Sequence, residues 1–225
     1  QFLESLMNDL DGKEGTIFRY HNHENSFLNT IYQQLLEEKD ILVPNKEKLL
    51  AFVERIAKPN SNLSAMWKKG DYCMVDLYEL VLSYYYPPHA KGSNSIKAIL
   101  PAVINDSELI RNKYSKAIYG TLEIPSLNFN NHTWINDESG NNPYKSLDPV
   151  FEKFSLELDE ELKSKGINID SISDGGAAMM AYAFLQFSDI SPQEKQHLEK
   201  GLLKYCELDT MAMVMIMEAF MDWAK

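Results

Sequence analysis

Tyr205 and Asp209 stand four residues apart in the segment Leu202-Leu203-Lys204-Tyr205-Cys206-Glu207-Leu208-Asp209-Thr210. Four residues is close to one α-helical turn, so a helix would put the phenol and the carboxylate on one face. The same segment carries an apolar stripe through Leu202, Cys206, Ala212, Met213, Ile216 and Phe220. An ionised carboxylate in such a stripe is costly unless a cation pairs with it or a metal binds it. Two readings follow. Asp209 is a chemically active acid, or it is the N-cap of a helix that starts at Thr210 and runs through the apolar residues 211–217.

Three further segments hold residue types that could do chemistry. Arg19-Tyr20-His21-Asn22-His23-Glu24 sits at the junction between a predicted strand and a predicted helix, where open α/β sheets place their ligands. Glu24 at that junction can reach a metal, or it can be a first-turn acid favoured by the helix dipole. His21 and His23 alternate onto one face of the strand and raise zinc as an alternative, but spacing supplies no third or fourth ligand. Asp76 in Met74-Val75-Asp76-Leu77 reads first as an N-cap for a helix over Leu77 to Tyr84. In Lys91-Gly92-Ser93-Asn94-Ser95-Ile96-Lys97, a glycine, two hydroxyls and a helix N-terminus could cradle a phosphate.

The elements that must position these residues follow from periodicity and punctuation. Residues 1 to 11 read as a helix closed by Asp11-Gly12, and Thr16 to His21 as a short strand. Asn25 or Ser26 caps a helix through Phe27, Leu28, Ile31, Leu35 and Leu36, and a second helix covers about Lys46 to Ala57. Tyr72 to Leu77 is a buried strand end or strand-to-helix turn. Ser93 or Ser95 caps a short helix over Ile96 to Leu100, and 105–116 is helical. Residues 118–149 are irregular, rich in Asn, Gly and Pro, and read as a functional insertion or lid. Helices over about 150–165, 174–187 and 192–224 complete the chain, the last opened by Ser191-Pro192.

Composition narrows the classes. The 225 residues, 44% of them hydrophobic, suffice for one full core or one domain with an excursion. Cys73 and Cys206 lie in apolar surroundings and read as reduced and buried, not as a disulfide framework. No apolar run approaches the ~20 residues that span a bilayer, so the expected protein is soluble and cytoplasmic, with no membrane partner. The net charge of -11 argues against a broad basic surface. Any phosphate contact must therefore be local, from Lys68-Lys69, Lys91, Lys97 or the Arg111/Lys113/Lys116 group.

Taken in order, these segments resemble the later motifs of the DEDDy 3'-5' exonucleases, the ribonuclease-H-like superfamily that contains ribonuclease D. The carriers are an acid after the strand Thr16 to His21, then Val75-Asp76-Leu77, then Ser95-Ile96-Lys97-Ala98-Ile99-Leu100, then Tyr205-x-x-x-Asp209. The likeness is strongest to an uncharacterised bacterial branch, a domain of unknown function. Blocks similar to those of that branch stand in this sequence as Tyr85-Tyr86-Pro87-Pro88, Gly92 to Pro101 and Tyr205 to Val214. The resemblance implies an α/β fold, helix-rich and ribonuclease-H-like, lacking its first strands, with two or three strands remaining. It also implies a two-metal phosphodiesterase using Mg2+ or Mn2+, with ions roughly 4 Å apart, and nucleic acid, RNA or DNA, as substrate. Carried over by residue, Asp209 would ligate metal directly, Glu24 would hold the second ion, and Tyr205 would orient the attacking water. Asp76, Ser95 and Lys97 would support the site.

One motif of the resemblance has no counterpart. An Asp-x-Glu on the opening strand should supply two of four acids, and none precedes Glu24 on a credible strand. Gln1 also opens within an amphipathic helix. Residues 1–225 are therefore expected to be the C-terminal part of an exonuclease-like domain with an irregular insertion at about 118–149. A missing N-terminal segment of the same protein would complete the site, and this piece would be inactive alone. The alternative is a non-catalytic module that binds nucleic acid or protein and retains the fold. An all-helical interaction domain is the third reading, and it requires the strands to be absent.

Overall fold

A computed structural model describes residues 1–38, 43–136, 141–147, 182–183, 185–186 and 191–225. The chain divides into two compact units, Gln1–Tyr86 and Pro87–Lys225. The helices expected over 150–165 and 174–187 fall outside the described residues, except 182, 183, 185 and 186, which are helical.

The first unit opens with α1 (Phe2–Leu10), followed by β1 (Phe18–Arg19), α2 (His23–Glu37) and α3 (Lys46–Ile56). After a long connection come β2 (Val75–Asp76) and, with no intervening residue, α4 (Leu77–Tyr84). The two strands pair in parallel, Phe18 against Val75 and Arg19 against Asp76. The all-helical reading is therefore excluded, and the described part is helix-rich α/β. Each strand is shorter than the apolar run in sequence, because the ladder stops where β1 turns at His21 and Asp76 becomes the α4 N-cap. Asp76 accepts from the Tyr78 backbone N–H at 3.1 Å, as its position before an apolar run predicts.

Leu28, Tyr32, Phe52, Val53, Ile56 and Trp67 form the centre of this unit's core. Buried Asn25 and Asn29, one turn apart on α2, tie the chain leaving α3 to that core. Asn25 donates to the Lys58 carbonyl (2.9 Å) and accepts from the Lys58 N–H (2.8 Å). Asn29 donates to the same carbonyl (3.0 Å) and accepts from the Asn60 N–H (2.9 Å). These bonds satisfy loop backbone groups that would otherwise be buried without partners. α2 starts at His23, earlier than Asn25 or Ser26 suggests, because Asn22 rather than either of them is its N-cap.

The second unit contains a 3-10 turn (Pro88–Ala90), α5 (Ile96–Asp106), α6 (Glu108–Tyr114), a 3-10 turn (Pro143–Ser146) and α7 (Pro192–Trp223). α5 runs through Pro101 because Ile99, Leu100, Ala102, Val103 and Ile104 are all buried, and this packing outweighs one missing backbone donor. The single helix expected over 105–116 is interrupted at Ser107, which caps α6 by accepting from the Ile110 N–H. α7 begins with a complete capping box between Ser191 and Glu194, and Pro192 follows the cap. α5 and α6 both pack on it.

The buried line of α7 runs through Leu208, Met211, Ala212, Met215, Ile216 and Ala219. It shares only Ala212 and Ile216 with the stripe expected from sequence. Apolar residues surround the helix from Met211 to Met217, so periodicity alone could not fix its phase. Cys206 is consequently exposed, a correction to its expected burial, while Cys73 is buried and both thiols are free.

Candidate functional site

Asp209 lies well inside α7, so it does not cap a helix at Thr210; that helix starts at Pro192 behind Ser191. Its side chain is bonded by a group from one other segment and feels the charge of a second. The Tyr144 hydroxyl, from the second 3-10 turn, donates to Asp209 Oδ1 at 2.6 Å. That turn is set by Asn142, whose side chain accepts from the Tyr144 N–H, and by Ser146, whose hydroxyl donates to the Pro143 carbonyl at 2.7 Å. Lys97 approaches from the first turn of α5. Its Nζ lies 4.8 Å from the Tyr205 ring centre and 5.4 Å from that of Tyr144, within cation–π range. The two rings are 6.2 Å apart.

Burial raises the Asp209 carboxyl pKa above the ordinary value, and neither the Tyr144 hydrogen bond nor the Lys97 charge fully offsets it. Tyr205, Asp209 and Lys97 are thus brought close together. Tyr144 was missed, since nothing local marks it apart from its place in an Asn- and Pro-rich stretch. Ser95 is the N-cap residue of α5, two residues before Lys97, and its hydroxyl lies 3.3 Å from that of Ser93.

The other candidates belong to the first unit. Glu24 is in the first turn of α2 and reaches solvent. The protein around it still raises its carboxyl pKa, by desolvation first and then by the nearby Asp76 charge, against the lowering influence of its own backbone amide, His23 and Arg19. Asp76 pairs with Arg19 across the strand ladder at 2.9 Å and accepts from the His21 N–H at 2.8 Å. With its α4 cap, these bonds occupy Asp76 in holding the strand ends. Glu24 and Asp76 share the edge formed by the carboxyl ends of two parallel strands, where α/β sheets bind ligands.

α7 also carries an acid of opposite character. Glu207 accepts from Tyr119 (2.7 Å), Asn128 (2.6 Å) and the Ser126 hydroxyl. Desolvation pushes its pKa up, but these three donors outweigh it and leave the carboxyl below its ordinary value. Glu207 thereby anchors the start of the segment 119–134, in which the rings of Tyr119, Phe129, His132 and Trp134 form a cluster with centroid distances of 4.3–5.8 Å. Tyr119 and His132 exchange backbone hydrogen bonds. Of the cations noted in sequence, Lys113 pairs with Glu218 at 2.7 Å, and Arg111 donates to the carbonyls of Ile104 and Asn105. These two are structural. An open cleft of about 410 Å³ along α7, lined by Tyr119, Met211, Val214 and others, includes neither Tyr205 nor Asp209.

Among the described residues, no three His, Cys, Asp or Glu side chains converge in a way that could hold a metal ion. No described helix is long and apolar enough to cross a membrane.

Residues 1–95 match a protein family described as a domain of unknown function (DUF2779). The match takes in the strand pair, Glu24, Asp76 and Ser95, and stops before Lys97. No curated protein and no solved structure matches the chain.

Proposed function

We propose that this chain is the C-terminal portion of a metal-dependent 3'-5' exonuclease of the ribonuclease-H-like, DEDDy type, acting on nucleic-acid phosphodiesters. The observation that carries the reading is the company kept by Asp209. A carboxylate one helical turn from Tyr205 lies in desolvating surroundings beside Lys97, a residue from a different motif segment. Structural acids are normally stabilised by their neighbours, as Glu207 is; an acid left with a raised pKa is the pattern of a functional group. In this reading Asp209 and Glu24 are assigned to Mg2+ or Mn2+, and Tyr205 to the attacking water. The Asp-x-Glu pair would come from residues outside these 225. Without the Asp-x-Glu acids that this reading requires, this portion alone is expected to be inactive.

The test uses the intact protein, with Mn2+ and an end-labelled oligonucleotide. Asp209→Ala should abolish hydrolysis while circular dichroism and thermal unfolding stay near wild type. Unchanged turnover would refute the assignment.

The engagement of Asp209 Oδ1 by the Tyr144 hydroxyl favours a second reading. In it the chain is a non-catalytic nucleic-acid- or protein-binding module that keeps the exonuclease fold. Intact protein that binds oligonucleotides but hydrolyses none with either metal supports that alternative.

A further inference from the structure

His21 closes β1 with φ at 65°, in the left-handed region that residues other than glycine seldom enter. Both polar groups of its backbone are gripped. Its N–H donates to Asp76 Oδ1 at 2.8 Å, and its carbonyl accepts from Arg19 Nη1. The gripping side chains form the strand-to-strand ion pair at 2.9 Å, each only about a tenth exposed at 11% and 12%. A nearly buried ion pair therefore fixes one exposed histidine in an unfavourable backbone conformation. Strain maintained in this way is concentrated where a side chain must be displayed.

The displayed ring stands on Tyr78, edge to face, with centroids 4.7 Å apart, and Tyr20 meets the same Tyr78 ring at 5.8 Å. A second ring pair, His23 with the half-exposed Phe27, lies 4.7 Å apart at the start of α2, in the turn that carries Glu24. The carboxyl edge of the strand pair thus combines the acids Glu24 and Asp76 with two imidazole–aromatic pairs whose histidines are exposed. A chain of net charge -11 offers a polyanion little long-range attraction. Affinity for nucleic acid must then come from short-range contacts. Stacking of unpaired bases on rings is such a contact, and it needs no field of positive charge.

We propose that His21, backed by Tyr78, is a stacking contact for an unpaired base, and that His23 and Phe27 supply a second ring pair on the same edge. This rests on the reading of the chain as acting on nucleic acid, and it adds which residues hold an unpaired base.

The experiment measures binding by fluorescence anisotropy on the intact protein in EDTA, which prevents metal-dependent hydrolysis. The probes are labelled oligothymidylate, oligouridylate and a hairpin duplex. Wild type should bind at least one single strand and prefer it to the duplex. His21→Gly should weaken that binding roughly 5- to 100-fold. Its melting temperature should be unchanged or higher, because glycine adopts positive φ freely. His21→Phe should restore binding to near wild type, since it keeps a ring and discards the imidazole hydrogen bonds. Wild-type affinity in His21→Gly, no rescue by phenylalanine, equal or tighter duplex binding, or no binding of either single strand each overturns the proposal. Mn2+-dependent hydrolysis is scored separately. If it persists while His21→Gly binds normally, only the stacking contact is lost. Stacking-dependent binding without hydrolysis removes the nuclease reading and leaves the contact standing.

Discussion

Two carboxylates two residues apart on α7 are expected to respond to neutralisation with opposite signs. Asp209 has its pKa raised in the folded chain, by burial above all. The folded state therefore holds that proton more tightly than the unfolded state does. Its ionised form opposes folding, increasingly as pH rises from about 3.9, the ordinary aspartate value, through the raised folded value. Asp209→Asn removes that opposition. The amide oxygen can still accept from Tyr144, and Lys97 keeps its two rings. Weakening a charge-assisted bond to a neutral one forfeits about 1 kcal/mol. Relieving a partly buried ion of its desolvation offsets this or exceeds it, since full burial costs several kcal/mol. The expected net change is between zero and about 2 kcal/mol of added stability. Glu207 is the reverse case: its hydrogen bonds with Ser126, Tyr119 and Asn128 outweigh the opposing desolvation and lower its pKa. Its contribution is present above about 4.3, the ordinary glutamate value, and is lost as pH falls through the lower folded value. Glu207→Gln turns an NH2 toward the Asn128 amide that donates at 2.6 Å. One charged hydrogen bond is lost and a donor is left unsatisfied, a cost of about 2–3 kcal/mol. Urea unfolding at pH 7 and again near pH 4 reports both effects. The signal is Trp134 fluorescence, because that ring is fully buried among Tyr119, Phe129 and His132. Between pH 7 and 4 both advantages should shrink, wild type over Glu207→Gln and Asp209→Asn over wild type. Destabilisation of more than about 1 kcal/mol by Asp209→Asn at pH 7, with an unchanged denaturant slope, would refute the argument, because it would make Asp209 an ordinary structural acid.

Two further outcomes test the packing. Gly120 has φ of 73°, and a Cβ there would lie 2.1 Å from the Phe129 carbonyl oxygen. Gly120→Ala should therefore cost at least about 2 kcal/mol and flatten the near-ultraviolet circular dichroism of the aromatic group around Trp134; a native-like spectrum and stability would contradict this close approach. Asn29→Ala removes the acceptor for the Asn60 N–H and a donor to Lys58, all in part-buried positions. The expected loss is about 2–4 kcal/mol, with faster amide exchange at Asn60, and an unchanged exchange rate would show that the α2 asparagines do not restrain that loop.

Several features were legible because their causes are local. Asp76 caps α4, and Ser191-Pro192-x-Glu194 starts α7, because a cap acts on backbone N–H groups two or three residues away. The strand at Phe18–Arg19 lies within the β-prone run Thr16 to His21. The phase of α7 was not legible, since methionines on several sides gave no preferred face and contact with α5 and α6 settled it. The aromatic group Tyr119–Trp134 was equally hidden. Its residues follow no helical or strand period, and its anchor, Glu207, lies on a helix far along the chain.

Sequence by itself determined that Tyr205 and Asp209 share a helical face, because the α-helical period is a property of the backbone. It also determined the acidic charge that removes long-range attraction for a polyanion. Only the tertiary structure decided which acid on that helix is strained and which is secured. Tyr144 bonds to Asp209 near the charge of Lys97, while Tyr119, Ser126 and Asn128 bond to Glu207. A pKa is set by desolvation and by neighbours brought from distant segments, and no local pattern of residues encodes that company.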